Sequence, residues 1–418
     1  MRAFQAYERI QAFKASHTAI INAVNYGHVV ASFLYDESLL GLVKKVMFSL
    51  FFTTRITVNE SKGNGLLLYY SCRHKKRADY DYIPQRLHEL LGDGCDYIES
   101  SEKFSLTQFL HTFKELPNAW RSTQGYRAKR LQRLGCSLLI AKYRSTAARV
   151  FPSFLRGKHR LITFCDAQAP ENLLVQMANR IEIETFTTQH GQYRVLDASN
   201  ISSDAEAYAN FVSDYMLCWG EATRKEFVCA GFRPEKFITI GWIKRWGSAA
   251  PRTPRTRRNV LGVMLNGENG KESNGALLES TKAIASALNL RYLVRLHPWT
   301  KAAHYTKFLD DRCAAIGHYD LFAYLGEVDF SLAHMSGATI EILHANAPVY
   351  LLNDGKLAEA FRVAGLSFND TDAITAAVSK DLESPDLARQ RFQMLSKWFN
   401  DDSAQSARIC ATFFDQEV

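Results

Sequence analysis

The feature that most constrains this chain is a pairing of short apolar runs with helical stretches, which stops once and then restarts. Residues 66–71 (LLLYYS), 161–166 (LITFCD), 183–191, 215–220 (YMLCWG) and 237–241 (FITIG) read as strands. Helical patterns at about 84–91, 170–180 and 221–230 separate them. Strands alternating with helices of this length predict a parallel sheet in α/β layering. The segment 247–259, GSAAPRTPRTRRN, breaks the pattern with prolines, arginines and no aliphatic residue larger than alanine, and reads as a linker. Beyond it the alternation resumes, with strands at 259–267, 291–298, 328–337 and 347–354 and helices at 276–288 and 338–345. The expectation is an α/β protein of two doubly wound, Rossmann-like domains. The N-terminal, acceptor-binding domain spans 1–246 and the nucleotide-binding domain 260–384. Residues 385–418 form a helical tail that would pack back on the first domain.

At 418 residues the chain can bury two cores, and its 47% apolar and 22% charged content is that of a globular protein. The longest apolar stretch, 39–52 (LLGLVKKVMFSLFF), is too short to span a bilayer and is broken by Lys44 and Lys45. A buried helix is expected there, in preference to an interfacial one. No signal-peptide pattern opens the sequence. The eight cysteines include no CxxC pair, so metal-ligand spacing is absent and a reducing compartment fits.

Lys and Arg total 51 against 43 Asp and Glu, a net charge of +8. The excess is concentrated: residues 121–160 hold eleven Lys or Arg and no Asp or Glu. Such a run either attracts an anionic partner or is a solvated helix face. No RNP-type or helix-turn-helix signature accompanies it, which argues against a nucleic-acid-binding protein.

Ligands of open α/β sheets bind beyond the carboxyl ends of the strands, so polar residues there are the candidates. Four clusters qualify. Arg295-Leu296-His297-Pro298 closes one strand, with His297 placed to donate to a phosphate or assist a leaving group. Ser336-Gly337-Ala338-Thr339-Ile340-Glu341 opens a helix, with Ser336 typed as its cap and small residues that let a phosphate approach. Glu341 suits ribose hydroxyls or complements the helix dipole. The loop 267–275 sets Lys271 among Gly267, Gly270 and Gly275, though no P-loop pattern is met. Thr188-Gln189-His190-Gly191 ends a first-domain strand beside Asp166. That carboxylate and imidazole could supply a general base, with Asp166 alternatively capping the helix after Pro170.

Taken together, TTQHG, then SDYMLCWGEATRKEFVCAGFRPEKFITIG, RLHP, MSGATIE and APVYLL resemble the bacterial GT-B glycosyltransferases of capsule, lipopolysaccharide and teichoic acid assembly. That group includes polysialyltransferases, capsule Kdo transferases and CDP-glycerol-type polymerases. The resemblance covers roughly residues 160–355, and residues 1–150 match nothing. It implies a nucleotide-sugar donor, CMP- or CDP-activated in preference to UDP, and a glycan or glycolipid acceptor. It implies an inverting enzyme needing no cofactor or metal, cytoplasmic and peripheral at the inner membrane, where 121–160 would meet anionic lipid. By the same resemblance His297 aids departure of the nucleotide, Ser336 and Thr339 bind phosphate, and His190 joins the active site. Many relatives carry Ser-Ser where this chain has Ser336-Gly337. Asp79-Tyr80-Asp81 spells the metal-binding DxD of the other glycosyltransferase class, in a loop without the flanking strand. The competing enzyme reading is an epimerase of the UDP-GlcNAc type, which shares the two-domain architecture.

Overall fold

Two separate parallel sheets account for the double alternation. The computed structural model describes residues 2–59, 65–72, 78–193, 205–243, 258–267, 271–298, 300–355 and 357–414. Most of the linker, Gly270 and the side chains of Lys271 and of the Asp79-Tyr80-Asp81 triplet lie outside the described residues. A short antiparallel ribbon, β1 (Ile20–Ile21) and β2 (Val24–Asn25), follows the first helix, Arg2–Lys14.

The first sheet holds β3 (Phe52–Asn59), β4 (Leu66–Cys72), β5 (Cys95–Phe104), β6 (Arg160–Thr163), β7 (Glu184–Thr188), β8 (Tyr215–Cys218) and β9 (Phe237–Thr239). Their spatial order is β3-β5-β4-β6-β7-β8-β9, parallel throughout except for the edge pair β3 and β5. Side chains alternate across a strand, so Leu67 and Tyr69 of β4 enter one core while Leu66, Leu68 and Tyr70 enter the other. A strand buried on both faces must be apolar at every position. That requirement explains the unbroken LLLYY.

The second sheet holds β10 (Val260–Met264), β11 (Arg291–Arg295), β12 (Cys313–Gly317), β13 (Phe330–Ala333), β14 (Val349–Leu352) and β15 (Ser367–Phe368). All are parallel, in the order β12-β11-β10-β13-β14-β15. Counted within the sheet this is 3-2-1-4-5-6, the order of dinucleotide-binding folds, whose switch point lies between the first and fourth strands. Gly262 in β10 is dictated by packing. A Cβ there would stand 2.1 Å from the Tyr324 hydroxyl of the covering helix Leu321–Glu327.

Of the C-terminal helices, Pro385–Phe399 sends Ala388, Phe392, Leu395 and Phe399 into the core of the second sheet, and Gln405–Phe413 returns to the first. Two glycines make room for them. A Cβ on Gly220 would meet the Trp398 carbonyl at 2.6 Å, and one on Gly241 would meet Asp402 Cα at 2.5 Å. Trp219 stacks on Trp242 with ring centroids 4.3 Å apart, and the Asp401 N–H donates to the Trp219 carbonyl at 2.9 Å. Ile409 and Phe413 join the core beneath the first sheet.

Three local readings change in the folded chain. Helix Ala78–Leu91 starts well before Pro84, so Asp79-Tyr80-Asp81 belongs to a helix and not to a loop. The glycine-rich stretch is also shorter than its composition suggests, because a helix runs from Lys271 to Ala287 and takes in Gly275. The Phe308 ring lies 3.2 Å from where a Gly275 Cβ would stand, so close packing accounts for glycine inside the helix. Finally, four of the eleven basic residues in 121–160 are paired with acids from outside the run. Lys142 pairs with Glu102 at 2.8 Å, Arg144 with Glu115 at 2.8 Å, Arg160 with Glu184 at 3.0 Å, and Lys158 with Asp96.

Candidate functional site

At the switch point of the second sheet, polar side chains fasten the chain leaving β10 and β13 to helix Lys271–Ala287. Asn274, in the first turns of helix Lys271–Ala287, accepts from the Asn266 N–H at 2.9 Å and donates to the Asn266 carbonyl at 2.8 Å. One buried amide therefore fixes the chain leaving β10 and leads it to Gly267. His334, buried after β13, has Nδ1 2.8 Å from the Leu352 carbonyl and Nε2 2.9 Å from that of Ser273. It ties the end of β13 both to β14 and to the start of the same helix. These two side chains hold the backbone on which the outward-facing residues sit.

His297 follows β11. The hydroxyl and N–H of Thr300 close its turn on the His297 carbonyl at 2.8 and 3.0 Å, and Pro298 prevents the strand from continuing. Its ring is half-buried beside Gly267, where an added Cβ would lie 3.5 Å from Nδ1. Burial lowers the His297 pKa from its ordinary value, helped by the charges of Arg295 and His318. At neutral pH the imidazole is uncharged, with one N–H to donate. Arg295 is anchored through Nε, which donates to the Tyr319 carbonyl at 3.0 Å.

Beyond β13, Ser336 stands one residue ahead of its expected cap position. Gly337 already has helical angles (φ −57°, ψ −32°) and occupies the N-cap of helix Ala338–His344 without a side-chain bond. The Ser336 hydroxyl lies 3.4 Å from the Ala338 N–H. Among the described residues, no atom outside its chain neighbours would come within 4 Å of a Cβ on Gly337. Glu341 is half-buried in the first turn. Thr339 is fully buried, with its hydroxyl unmatched by any hydrogen-bond partner, and so faces the interior.

The first sheet is arranged differently. Asp166, at the end of β6, is buried, and its Oδ2 accepts from the N–H groups of Val212 and Ser213, each at 2.9 Å. Burial pushes its pKa up to about 6, against the pull of those N–H groups. The carboxylate neither caps the following helix, which begins at Ala169 after Gln168, nor lies open as a general base. It holds the turn leading into β8, and the helix-cap reading of this residue gives way to that one.

Sequence reasoning missed its neighbour Glu171. Across the first switch point, between β4 and β6, this buried carboxylate accepts from the Ser71 N–H at 2.8 Å, the Ser71 hydroxyl at 3.0 Å and the Cys165 N–H. Burial pushes its pKa up to about 8. The available signal was an acidic residue directly after Pro170 in the first turn of a helix, a place where carboxylates are favoured. Gln189 is likewise an internal fastener, its Oε1 accepting from the Trp219 N–H and the Thr223 hydroxyl, both at 2.8 Å.

His190 is the half-buried member of this group. Its Nδ1 lies 3.0 Å from the Tyr193 hydroxyl and its Nε2 3.6 Å from Cys165 Sγ. Burial holds the Tyr193 phenol well above its usual pKa, so it keeps its proton beside Nδ1. Among the described residues, no three His, Cys, Asp or Glu side chains gather as a metal site would require.

No family model matches the sequence, and no curated protein matches it. Solved structures do. The chain is similar to the S. aureus MnaA–UDP co-structure at 13% identity, covering 82% of this chain and 94% of that one, with a TM-score of 0.51. It is similar to the UDP-GlcNAc 2-epimerase of Methanocaldococcus jannaschii at 12% identity, covering 83% and 100%, with a TM-score of 0.51. The glycotransferase of kitacinnamycin is similar at 10% identity, covering 84% and 99%, with a TM-score of 0.50. Likeness at such identities speaks for the fold. The protein has the GT-B architecture, two Rossmann-like domains in tandem.

Proposed function

We propose that this chain is a nucleotide-sugar enzyme that holds its nucleotide on the second sheet and transfers the sugar to a glycan or glycolipid acceptor presented at the first. The observation that carries this is the grouping of Gly267, His297 and Ser336-Gly337 at the switch point of a 3-2-1-4-5-6 sheet, with no atom of the described residues within 4 Å of where a Gly337 Cβ would stand. Small residues there admit a phosphate, Ser336 and the His297 N–H donate to its oxygens, and Glu341 is placed for the ribose. As the nucleotide departs, charge grows on the phosphate, and a donor already aimed at it stabilises the transition state more than the ground state. On the acceptor side we assign His190, whose ring is held by Tyr193.

The sequence resemblance favours a cytidine-activated donor, while a second reading, epimerisation of a UDP-sugar, is favoured by the solved structures of similar fold. A thermal-shift panel of CMP, CDP, UMP, UDP and GDP separates the bases. A nucleotide at 100 times its Kd should stabilise the protein by about 2.7 kcal/mol. Proton NMR of a bound-class sugar nucleotide without acceptor then separates the reactions, since inversion within the sugar under those conditions marks an epimerase. A panel in which no nucleotide raises the melting temperature would remove the whole reading.

A further inference from the structure

Helix Leu39–Phe51 is among the most apolar segments of the sequence, and the fold buries almost none of it. Of its thirteen residues only Gly41 and Ser49 are buried. The core helix anticipated from LLGLVKKVMFSLFF is therefore a surface helix. Leu39, Val43 and Met47, spaced by four, form an exposed stripe with Leu40 beside it. Leu39 keeps 74% of its surface and Leu40 63%.

Two neighbouring helices extend this surface. Helix Thr107–Ser122 is joined to it where the Thr112 hydroxyl donates to the Ser49 carbonyl at 2.7 Å. Helix Arg130–Arg149 is joined where Leu42 fills the space above Gly135, 2.7 Å from where a Cβ would be. Phe51 links Phe104 and Phe109, with centroids 6.1 and 6.4 Å apart, and Phe109 continues to Phe113 at 4.5 Å. Phe104, Phe109 and Phe113 are exposed, as are Leu106 and Leu110, each at 69%, and Leu131 at 61%. Contiguous exposed apolar surface of this extent marks an interaction site.

Its charge selects the occupant. Across residues 39–51 and 103–149 the single carboxylate is Glu115, and it is paired with Arg144 at 2.8 Å. The exposed charged residues there are cations: Lys44, Lys103, Lys114, Arg121, Arg127, Lys129, Arg130 and Arg149. By helical spacing Lys44 lies beside Leu40, Lys114 beside Leu110 and Arg130 beside Leu134. A second copy of the chain would bring this cationic face against itself, since a two-fold interface pairs a patch with its own image. An anionic bilayer has both complements, acidic headgroups for the cations and acyl chains for Leu and Phe. Among the described residues no helix is long and apolar enough to cross a membrane, so the contact is with one leaflet.

We infer that the face formed by helices Leu39–Phe51, Thr107–Ser122 and Arg130–Arg149 seats the protein on an anionic lipid surface, with Leu39, Leu40, Val43, Leu106, Leu110 and Phe113 entering the headgroup layer. The inference is independent of the nucleotide-sugar reading. It relocates the membrane contact from the basic run alone to an apolar platform with cations set into it.

The test is co-flotation of the full chain with phosphatidylcholine vesicles, with and without phosphatidylglycerol. The wild type should float with the anionic vesicles and release as salt is raised, because exposed charges are screened. The double variant Leu40→Ser, Leu110→Ser should bind on the order of tenfold more weakly per residue, as expected for losing a buried leucine. Both sites are exposed, so melting temperature and nucleotide affinity should stay at wild-type values. Failure to float at low salt would overturn the inference, as would a double variant that floats like the wild type. So would a dimer on sedimentation that the double variant abolishes, since the occupant would then be a second copy.

Discussion

The carboxyl ends of the two sheets carry similar polar residues and use them in opposite ways. On the first sheet Asp166, Glu171 and Gln189 are buried, and their side chains make hydrogen bonds to backbone groups or hydroxyls of the chain itself. On the second sheet the internal fastening is done by Asn274 and His334, which leaves His297, Ser336 and Glu341 half-buried at the front. A polar residue at a strand end is therefore not by itself a site. What separates the two kinds here is burial: Asp166, Glu171 and Gln189 are enclosed by the chain, whereas His297, Ser336 and Glu341 reach the surface.

The sharpest way to break this comparison is His297→Ala. If the second sheet does the chemistry on the departing nucleotide, turnover should fall by about 10²–10⁴-fold, the usual range for a positioned proton donor or hydrogen-bond donor. Nucleotide affinity should fall less, by about 1.5–3 kcal/mol for one charge-assisted bond. The lowered pKa of His297 adds a pH signature. A bound phosphate favours the imidazolium, so binding raises this pKa, and affinity should increase as pH falls toward and below the ordinary histidine value of about 6.5. Calorimetry across that range should show the increase in the wild type and lose it in the variant. A His297→Ala enzyme with full turnover would move the reaction to the first sheet.

A second pair of variants should cross over. Asp166→Ala leaves the Val212 and Ser213 N–H groups buried without their acceptor, and the expected cost is about 1–3 kcal/mol of stability with nucleotide affinity unchanged. Ser336→Ala should do the reverse, weakening nucleotide binding by about 0.5–1.5 kcal/mol while the melting temperature holds. Chemical denaturation and nucleotide titration on both proteins give four numbers. Equal behaviour of the two variants would erase the distinction between the sheet ends.

Sequence reading worked where structure is local and failed where a partner comes from far along the chain. The apolar runs of β4, β6, β8, β10, β11, β13 and β14, the Pro298 turn and the small residues at 337–338 are each visible within a few residues. The edge strand β3, Thr-rich and antiparallel, was not seen, and neither was β12, CAAIG, whose small residues resemble a loop. Distant partners account for the rest. The acceptors that compensate Lys142 and Lys158 lie at Glu102 and Asp96, so the basic run looked bare. Glu171 gains its meaning from Ser71, which the sheet order brings alongside Cys165. The exposure of helix Leu39–Phe51 is hardest to foresee, because hydrophobicity predicts burial and this helix is a case where a surface overrides it.

The smallest effect on turnover is expected from Asp166→Asn, and it bears most directly on how the first sheet end is read. One oxygen, Oδ2, receives both N–H bonds, so an asparagine carbonyl placed there keeps both. The substitution removes the ionisable group and sets an NH2 where Oδ1 stood. In the wild type, burial raises the Asp166 pKa to about 6, above the roughly 3.9 of an unfolded aspartate. The folded state therefore holds this proton more tightly than the unfolded state. Its contribution to stability is complete below about pH 3.9 and is lost as pH rises through about 6. Denaturation curves of the wild type should show that decline between those two values, and those of Asp166→Asn should be flatter, so the variant gains relative stability on the neutral side. Turnover should stay close to wild type, because the carboxylate organises a turn and accepts no proton from an attacking hydroxyl. A variant that keeps its stability and its nucleotide affinity but loses turnover by the factor of about 10²–10⁴ expected for a general base would show instead that the buried carboxylate takes part in the reaction.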